Sequence, residues 1–190
     1  MMEALSTICT RNTVNGWPDK QTVHSYIEVY EEVLKPYRGK VNFLEIGLFS
    51  GQSLRMWEQY FNEGKCTGID ISETPHGGLQ DLRPMIAEGS HNIFIMDGTK
   101  KADIEKNFEG VMFDVIIDDG SHNLADQLES YNHLKSHLVK GGIYIIEDVQ
   151  DIDANKDLFL NLDPKKKIKI LDRRKIKNRY DDVMILITDK

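Results

Sequence analysis

The chain has 190 residues, enough for one domain with a sizeable core and too few for two full enzyme domains. Its 31 acidic residues outnumber the 24 basic ones and leave a net charge of −7. This balance argues against a general nucleic-acid binder, because phosphate contacts need clustered Lys and Arg. No stretch approaches the roughly 20 apolar residues of a membrane span, which argues against an integral membrane protein.

The predicted elements alternate between helices and strands along the chain. An amphipathic helix at 22–37 comes first, with apolar and aromatic residues at helical spacing. The apolar runs that follow predict strands at 41–47, 66–71, 92–98, 113–120 and 141–149. Between them the periodicity predicts helices at 51–61, 101–108 and 123–139. Two last strands, 168–174 and 183–190, follow one another with no predicted helix between them.

This order predicts an α/β fold, because continuous apolar strands separated by helices form parallel sheets that are covered on both faces. We expect a Rossmann-like, doubly wound and mostly parallel seven-stranded sheet that a C-terminal antiparallel hairpin closes. We divide this single domain, 1–190, into a lead-in and helix (1–38), a core (39–150) and a closing helix and strands (151–190). In such sheets ligands bind beyond the carboxyl ends of the strands.

A glycine turn follows the first strand, in the segment EIGLFSGQS at 45–53. Gly47 and Gly51 allow the backbone to approach a ligand, and the following helix N-terminus offers unpaired N–H groups. Phe49 stands where a dinucleotide motif has its second glycine, which leaves little room for a pyrophosphate and disfavours NAD. The turn instead suits a smaller ligand with an amino-acid end, such as S-adenosylmethionine.

Acidic residues end the next strands and add to this cofactor hypothesis. Asp70 would accept hydrogen bonds from both ribose hydroxyls, and Asp97 could take the adenine amino group. A glycine turn alone occurs in many doubly wound folds and does not mark a site. The order of Gly47, Gly51, Asp70 and Asp97 along the chain is what favours a cofactor.

A second acidic group follows the fourth and fifth strands. Asp119, Glu147 and Asp148 would lie side by side and repel one another unless a cation holds them. Carboxylate oxygens suit Mg²⁺, with Mn²⁺ or Ca²⁺ as other candidates, and the metal could lower the pKa of a substrate hydroxyl. His122 would then be the general base. The alternative is that these acids are ordinary loop residues, and that Asp119 or Ser121 caps a helix while His122 is a surface residue.

Several motifs give the chain a resemblance to a known family. They are 19-DKQTVHSYIEVYEEVLKPYR-38, 43-FLEIGLFSGQSLRMWEQYF-61, 68-GIDIS-72, 114-DVIIDDGSH-122 and 141-GGIYIIEDV-149. The chain resembles class I S-adenosylmethionine-dependent methyltransferases. Among them it is similar to the Mg-dependent sugar O-methyltransferases of macrolide tailoring, the mycinamicin type, and to their cephalosporin hydroxylase-like relatives.

The resemblance implies a class I methyltransferase domain that methylates a sugar hydroxyl, with roles for individual residues. The metal ligands would be Asp119, Glu147 and Asp148, and His122 would be the catalytic base beside Asp119. The residues that would line the cofactor site are Glu45, Gly47, Ser53, Asp70 and Asp97. Asp118 is expected to be a structural or cofactor-side acid. Lys20 and Tyr26 would close over the cofactor or acceptor, or else serve helix capping and core packing.

Two other functions stay open at this stage. One is a catechol-type O-methyltransferase, and the other is a cofactor-binding module without turnover. The basic segment 165–179 predicts a strand with one solvated charged face, with contact to an anionic acceptor as the alternative.

Cysteine content and the start of the chain bear on location and partners. Cys9 and Cys66 have neither zinc nor disulfide spacing, and residues 1–16 lack an apolar run of signal-peptide length. We therefore expect a cytoplasmic protein with a small-molecule or glycan substrate and with no nucleic-acid or membrane partner. Its oligomeric state stays open between a monomer and a homo-oligomer.

Overall fold

The computed structural model describes residues 3–15, 17–74 and 81–190, and its strands form one seven-stranded sheet. The strands are β1 (Asn42–Ile46), β2 (Lys65–Asp70), β3 (Asn92–Ile95), β4 (Phe113–Asp118), β5 (Leu138–Ile146), β6 (Lys166–Asp172) and β7 (Val183–Asp189). Their order across the sheet is β3-β2-β1-β4-β5-β7-β6. Neighbours among β1 to β5 pair in parallel, whereas β7 runs antiparallel to both β5 and β6. The predicted parallel sheet with its closing antiparallel hairpin is confirmed.

Helices pack on both faces of this sheet. They are α1 (Leu5–Asn12), α2 (Ile27–Val33), α3 (Gln52–Tyr60), α4 (Arg83–Ala87), α5 (Lys101–Phe108), α6 (Leu124–Leu134), α7 (Ile152–Leu160) and α8 (Arg174–Lys177). Val115 and Ile117 of β4 join the apolar cluster that includes α1 to α3, and Ile116 joins the one that includes α5 to α7. Because successive strand residues point to opposite faces, β4 is buried on both sides and needs a continuous apolar run.

The helix predicted at 22–37 corresponds to α2 and is shorter than predicted. It begins at Ile27 rather than at residue 22, because the side chains of Ser25 and Tyr26 bond to carboxylates beside β7 and β5. After α2 the chain tightens into a 3-10 turn at Lys35–Tyr37, where Pro36 lacks the N–H that a further α-helical turn requires. Tertiary contacts have therefore overridden the helical periodicity before Ile27.

Other boundaries differ from the predicted ones. The helix predicted to run to residue 139 ends at Leu134, a 3-10 turn follows, and β5 begins at Leu138, before the predicted start at 141. Helices α1, α4 and α8 were not predicted, and α8 lies between β6 and β7 where no helix was expected. The sequence PHGG at 75–78 predicts an irregular loop, and this segment lies outside the described residues.

The strand order places the ligand site. From β1 the chain winds outward to β2 and β3, then returns to add β4 on the other side of β1. This reversal separates the connections that follow β1 and β4, and it opens a crevice at their carboxyl ends. The residue after β1, Gly47, and the residue after β4, Asp119, meet there, with the Asp119 N–H donating to the carbonyl of Ile46 at 2.9 Å. Among the described residues, no helix is long and apolar enough to cross a membrane.

Candidate active site

A cavity of about 1020 Å³ lies at the carboxyl edge of the sheet. It has the size of a small-molecule or cofactor site. Two groups of side chains line it. One follows β1, β2 and β3 and includes Gly47, Phe49, Ser53, Asp70 and Asp97. The other follows β4 and β5 and includes Asp118, Asp119, His122 and Asp148. Both predicted groups of acids therefore contribute to one cavity, although Glu147 is not among the residues that line it.

Residues 17–26, here called the N-terminal strap, cover one side of the cavity. Trp17, Asp19 and Lys20 of the strap line the cavity. The strap is fastened by Ser25, whose backbone N–H and hydroxyl donate to Asp182 at 3.1 Å and 2.7 Å. A segment distant in sequence is thereby held against the ends of β5 and β7.

The glycine turn after β1 is shaped by contacts that exclude a side chain. Gly47 has φ +83°, and a Cβ there would lie 2.1 Å from the backbone oxygen of Asp119. Gly51 has φ +82° at the start of α3, and a Cβ there would lie 2.3 Å from the Met85 sulfur. Gly47 therefore allows the β1 and β4 connections to touch, whereas Gly51 packs against Met85 and is not among the residues that line the cavity.

Asp70 organises the same turn. Its Oδ2 accepts hydrogen bonds from the N–H groups of Leu48 at 2.9 Å and Phe49 at 3.2 Å, and its Oδ1 accepts one from Ser72 at 3.3 Å. A carboxylate has about four lone-pair sites, so these three bonds leave capacity for a ligand. Asp97 faces the cavity with its Oδ1 accepting from both the backbone N–H and the hydroxyl of Thr99.

Glu45 lies behind the cavity wall rather than on it. Its side chain is fully buried and accepts hydrogen bonds from the Ser53 hydroxyl and the Trp57 indole, both at 2.9 Å. Burial raises the pKa of Glu45 to about 7, although the nearby Lys20 ammonium opposes the shift. The structure thus places Ser53 at the cavity with Glu45 as its hydrogen-bond acceptor.

Asp118 is the buried acid at the end of β4. Its Oδ1 accepts from the Gly120 N–H at 3.2 Å and its Oδ2 from the Tyr144 hydroxyl at 3.3 Å. Burial raises the pKa of Asp118 to about 7, while these hydrogen bonds act in the opposite direction. Asp118 is nevertheless among the residues that line the cavity.

Asp119, His122 and Asp148 converge at the far end of the cavity. Each offers a ligand atom, and these atoms lie within 4.8 Å of one another. His122 Nε2 is 3.2 Å from Asp119 Oδ1 and 3.6 Å from Asp148 Oδ2. His122 and Asp148 both have left-handed backbones, with φ of 58° and 52°. Non-glycine residues seldom adopt that conformation, and functional sites are one of the places where it recurs.

Glu147 is not part of the group that its two predicted partners, Asp119 and Asp148, form with His122. Its Oε1 accepts from the Lys20 ammonium at 2.7 Å and also from the Tyr30 hydroxyl. The same ammonium donates to Asp119 Oδ2 at 2.7 Å. In place of Glu147, the structure brings His122 to Asp119 and Asp148, and Lys20 links Glu147 to this group.

The titration of these groups follows from burial and from the two nearby cations. Burial opposes ionisation of Asp119, yet Lys20 and His122 together lower its pKa to about 2. Burial and the Asp119 charge raise the pKa of Asp148 to about 7. Burial by itself would lower the pKa of His122, but the hydrogen bond to Asp119 and the charge of Asp119 outweigh burial and raise this pKa to about 9.

Burial also raises the pKa of Glu147 well above its ordinary value, against the opposing charge of Lys20. The three predicted metal-binding carboxyls, Asp119, Glu147 and Asp148, thus share two nearby cationic groups, Lys20 and His122.

A profile of methyltransferase domains matches residues 44–149. These residues contain the glycine turn, the strand-end acids and the catalytic histidine candidate. The chain belongs to this methyltransferase family.

Curated relatives of this methyltransferase act on sugars. It is 31% identical, over 70% of its own length and 35% of the other chain, to the 8-demethyl-8-alpha-L-rhamnosyl tetracenomycin-C 2'-O-methyltransferase of Streptomyces olivaceus. It is 33% identical, over 67% of its length and 32% of the other chain, to the Mycinamicin VI 2''-O-methyltransferase of Micromonospora griseorubida. The methyltransferase thus spans about a third of the length of these relatives.

Solved structures share its fold. The MycE methyltransferase from the mycinamycin biosynthetic pathway, in complex with Mg, SAH and mycinamycin VI, superposes with a TM-score of 0.72 at 22% identity. The match covers 98% of the present methyltransferase and 53% of the MycE chain. The seven-stranded arrangement described above is therefore a methyltransferase fold.

The residues of the methyltransferase fit a hard divalent cation. Carboxylate oxygens are the ligands that Mg²⁺ prefers, and Asp119 and Asp148 present theirs at the cavity. A divalent cation would add positive charge to this buried group, in which Asp119, Glu147 and Asp148 share the Lys20 ammonium and the His122 ring.

Sequence reasoning missed how the strap supports the acids. Tyr26 is fully buried and donates to Asp148 Oδ1 at 2.7 Å, so it supports an acid instead of closing over a ligand. His24 Nδ1 lies 3.2 Å from the same oxygen, and Tyr30 bonds to Glu147. The signal was the density of polar and aromatic residues in 17-WPDKQTVHSY-26, an unusual composition for a segment that turns out to be largely buried.

The basic segment at 165–179 contributes a strand to the sheet and one residue to the cavity wall. Residues 166–172 form β6, an edge strand whose residues alternate in exposure over most of its length, as predicted for a strand with one solvated charged face. At its end, Arg179 lines the cavity and pairs with Asp181 through two bonds of 3.1 Å and 3.0 Å. Contact between Arg179 and an anionic acceptor stays a prediction.

Proposed function

We propose that the chain is an S-adenosylmethionine-dependent and Mg²⁺-dependent O-methyltransferase that acts on a sugar hydroxyl. The observation that carries this proposal is the convergence of Asp119, His122 and Asp148 in the same cavity as the glycine turn. A methyl donor bound at the turn and an acceptor bound at the acids would then be neighbours. Such positioning is the main source of catalysis in a direct displacement.

The donor would be held by the residues that line the first part of the cavity. Gly47 and Ser53 would contact its amino-acid end, Asp70 the ribose and Asp97 the adenine. Asp118, which also lines the cavity, would contact the donor. Glu45 and Gly51 would act indirectly, since Glu45 holds Ser53 and Gly51 allows α3 to begin against Met85.

His122 would be the catalytic base and Asp119 its partner. His122 would remove the proton of the acceptor hydroxyl through the ring nitrogen that does not face Asp119, while Asp119 Oδ1, which is 3.2 Å from Nε2, would orient the ring and stabilise the imidazolium that forms. Mg²⁺ held by the acids would offset the negative charges that raise the pKa of His122, and so favour the neutral ring that a base needs. S-adenosylmethionine would supply the methyl group, and Mg²⁺ would supply positive charge that stabilises the developing alkoxide.

The metal would be held by Asp119 and Asp148, with Glu147 as the third acid of the group. Mn²⁺ and Ca²⁺ are further candidates because they also prefer oxygen ligands. Lys20 and Tyr26 were expected to close over the cofactor or acceptor. Both side chains are fully buried and bonded to these acids, so we assign them to support of the metal site.

A sugar acceptor is supported by the curated relatives, which are named as sugar O-methyltransferases. The catechol-type alternative is not favoured, because these relatives methylate sugars attached to macrolide or tetracenomycin scaffolds. A cofactor-binding module without turnover is opposed by the presence of a histidine beside two carboxylates at the cavity.

The remaining expectations belong to the same proposal. We infer a small-molecule or glycan substrate with no nucleic-acid or membrane partner, and a single catalytic domain over 1–190. A cytoplasmic location is supported by Cys9 and Cys66, which are both buried as free thiols. A homo-oligomer stays part of the proposal and can be tested by light scattering.

The test is a release assay for S-adenosylhomocysteine across nucleotide sugars, free glycans, glycosylated small molecules and catechols. Each reaction is run with Mg²⁺ and again with EDTA. We expect turnover with a sugar-bearing acceptor, loss of it in EDTA and recovery when Mg²⁺ is restored. Turnover on catechols alone would refute the sugar acceptor, and turnover unchanged by EDTA would refute the metal.

A further inference from the structure

Lys20 is a fully buried cation held between carboxylates from two strand ends. Its ammonium lies 2.7 Å from Asp119 Oδ2, 2.7 Å from Glu147 Oε1 and 3.8 Å from Glu45 Oε1. An ammonium has three N–H donors and no acceptor, so it can serve several carboxylates at once. At least two of the donors of Lys20 are engaged by acids that follow β4 and β5.

The strap fixes this ammonium in place. The carbonyl oxygen of Lys20 accepts from the N–H of Tyr26 at 3.0 Å, which closes the strap into a turn. Beyond this turn, Ser25 is bonded to Asp182 and Tyr26 to Asp148. The backbone that carries this cation is therefore held by contacts within the chain itself.

The contacts of Asp119 divide its two oxygens between different partners. Oδ2 accepts from Lys20 at 2.7 Å, while Oδ1 faces His122 at 3.2 Å. Asp119 and His122 belong with Asp148 to the group of residues that could hold a metal. Lys20 thus neutralises the buried side of the acids and leaves the cavity side open. A buried carboxylate without a cation would be strongly destabilising.

We propose that Lys20 is a built-in counter-cation that allows the acids to fold together before a divalent cation binds. This inference rests on the proposed function, because the divalent cation would bind the same acids. With Lys20 present, the metal is needed for catalysis but is dispensable for folding. Without Lys20, the folded protein would come to depend on the metal.

The test compares thermal unfolding of the full chain in EDTA and in saturating MgCl₂ at one fixed pH. The variant Lys20→Met removes the charge and keeps the length of the side chain. We expect its Tm to fall in EDTA by about 5 °C or more. Added Mg²⁺ should recover at least about half of that loss, so that the Mg²⁺-induced shift exceeds that of the wild type.

Two further variants separate charge from hydrogen bonding. Tyr30→Phe removes a hydrogen bond from the same Glu147 oxygen without changing any charge. It should lower the Tm by equal amounts in EDTA and in Mg²⁺. The double variant Lys20→Met/Glu147→Gln removes one charge of each sign, and it should recover stability in EDTA and lose the enlarged Mg²⁺ shift.

The outcomes decide the inference in either direction. It is supported if Lys20→Met unfolds in EDTA and folds when Mg²⁺ is present, or if only the double variant folds. It is overturned if the Tm of Lys20→Met in EDTA equals that of the wild type, if its Mg²⁺ shift is no larger, or if both Lys20 variants fail to fold under both conditions.

The same experiment distinguishes this inference from the proposed function. Neither a methyl donor nor an acceptor is present, so failure to methylate any sugar leaves the Tm pattern intact. A complete absence of Mg²⁺ shifts in all variants would contradict both the metal site and the counter-cation. If every variant shows the Mg²⁺-induced Tm shift expected above but no acceptor is methylated, only the proposed acceptor is contradicted.

Discussion

The two parts of the cavity are built in different ways. On the side that would bind the methyl donor, Asp70 accepts from the backbone N–H groups of residues 48, 49 and 72, which lie 22, 21 and 2 positions away in sequence. On the acid side, Lys20 reaches carboxylates that lie 99 and 127 positions further along the chain. The donor side is a backbone turn organised by one carboxylate of the neighbouring strand, whereas the acid side is a group of buried charges from distant segments.

This difference predicts different sensitivities. A side chain that orders a backbone turn affects ligand affinity and local stability, and its effect should change little with metal. A side chain within buried charges affects its neighbours through electrostatics, which act strongly where water is excluded. Variants on the two sides should therefore separate methyl-donor binding from turnover and metal dependence.

The largest expected effect is on the acid side. His122→Ala removes the proposed base, and we expect kcat to fall by about 10²–10⁴-fold, the usual contribution of general base catalysis. Affinity for S-adenosylhomocysteine should change little, because the donor residues are untouched. Release assays give kcat, and calorimetric titration gives the affinity.

His133→Ala is the matched control for this variant. His133 lies in α6 and is not among the residues that line the cavity. It should leave both measurements near the wild-type values. Equal losses of kcat and donor affinity in His122→Ala would contradict the separation of the two sides.

The second-largest effect is expected at Gly47, where the connection after β1 contacts the connection after β4. In Gly47→Ala the new Cβ would meet the backbone oxygen of Asp119 at 2.1 Å, at a φ of +83° that disfavours any side chain. We expect a loss of about 1–3 kcal/mol in the free energy of unfolding, together with lower donor affinity and lower kcat. Urea unfolding and the two assays above measure these three quantities.

Gly51→Ala is the comparison for this variant. It has almost the same φ, but its new Cβ would meet the side chain of Met85, which can move. We expect a similar backbone strain and a smaller loss of turnover. Equal losses of turnover in both variants would show that the contact between the two connections has no special role.

The two sides also differ in how much of them could be predicted from the sequence. Asp70, Asp97 and the glycine turn were located because each follows directly on an apolar run, and the parallel sheet brings such positions together. The support of Asp148 by Tyr26 and of Glu147 by Lys20 was not predicted. Such contacts depend on where the strap lies in three dimensions, whereas the helical spacing at 22–37 pointed to one amphipathic helix that begins at residue 22.

The fold itself followed from periodicity, with errors at the boundaries. The runs that became β4 and β5 are apolar on both faces, which is a strong signal for buried parallel strands. The short helices α4 and α8, of five and four residues, carry too few periodic positions to be recognised. Local pattern therefore identified long elements, and tertiary contacts determined the ends of others.

The third effect lies on the donor side alone. Asp70→Ala removes the acceptor for the N–H groups of Leu48 and Phe49, and with it the proposed ribose contact. We expect the affinity for S-adenosylhomocysteine to fall about tenfold or more, since each charge-assisted hydrogen bond contributes about 1.5–3 kcal/mol. Residual turnover at saturating donor should still respond to EDTA. Unchanged affinity would refute the ribose assignment.

The smallest effect concerns pH and the buried Asp118. Its carboxyl titrates near 3.8 when exposed and near 7 in the fold, where burial disfavours the charged form. The folded protein then binds more protons than the unfolded chain between these values. The stability that this group contributes is complete below pH 3.8 and is lost as the pH rises through about 7.

Asp118→Asn should remove this dependence, because the amide is nearly the same size and its oxygen can still accept from the Gly120 N–H. Urea unfolding in EDTA at about pH 5 and about pH 8 should show a smaller loss of stability in the variant than in the wild type. The difference should be about 1 kcal/mol or more, since one pKa unit corresponds to about 1.4 kcal/mol. Other titrating groups are common to both proteins and cancel in the comparison. Parallel pH dependences would mean that Asp118 is ionised in the fold at little cost, and that the site tolerates more buried negative charge than its cations balance.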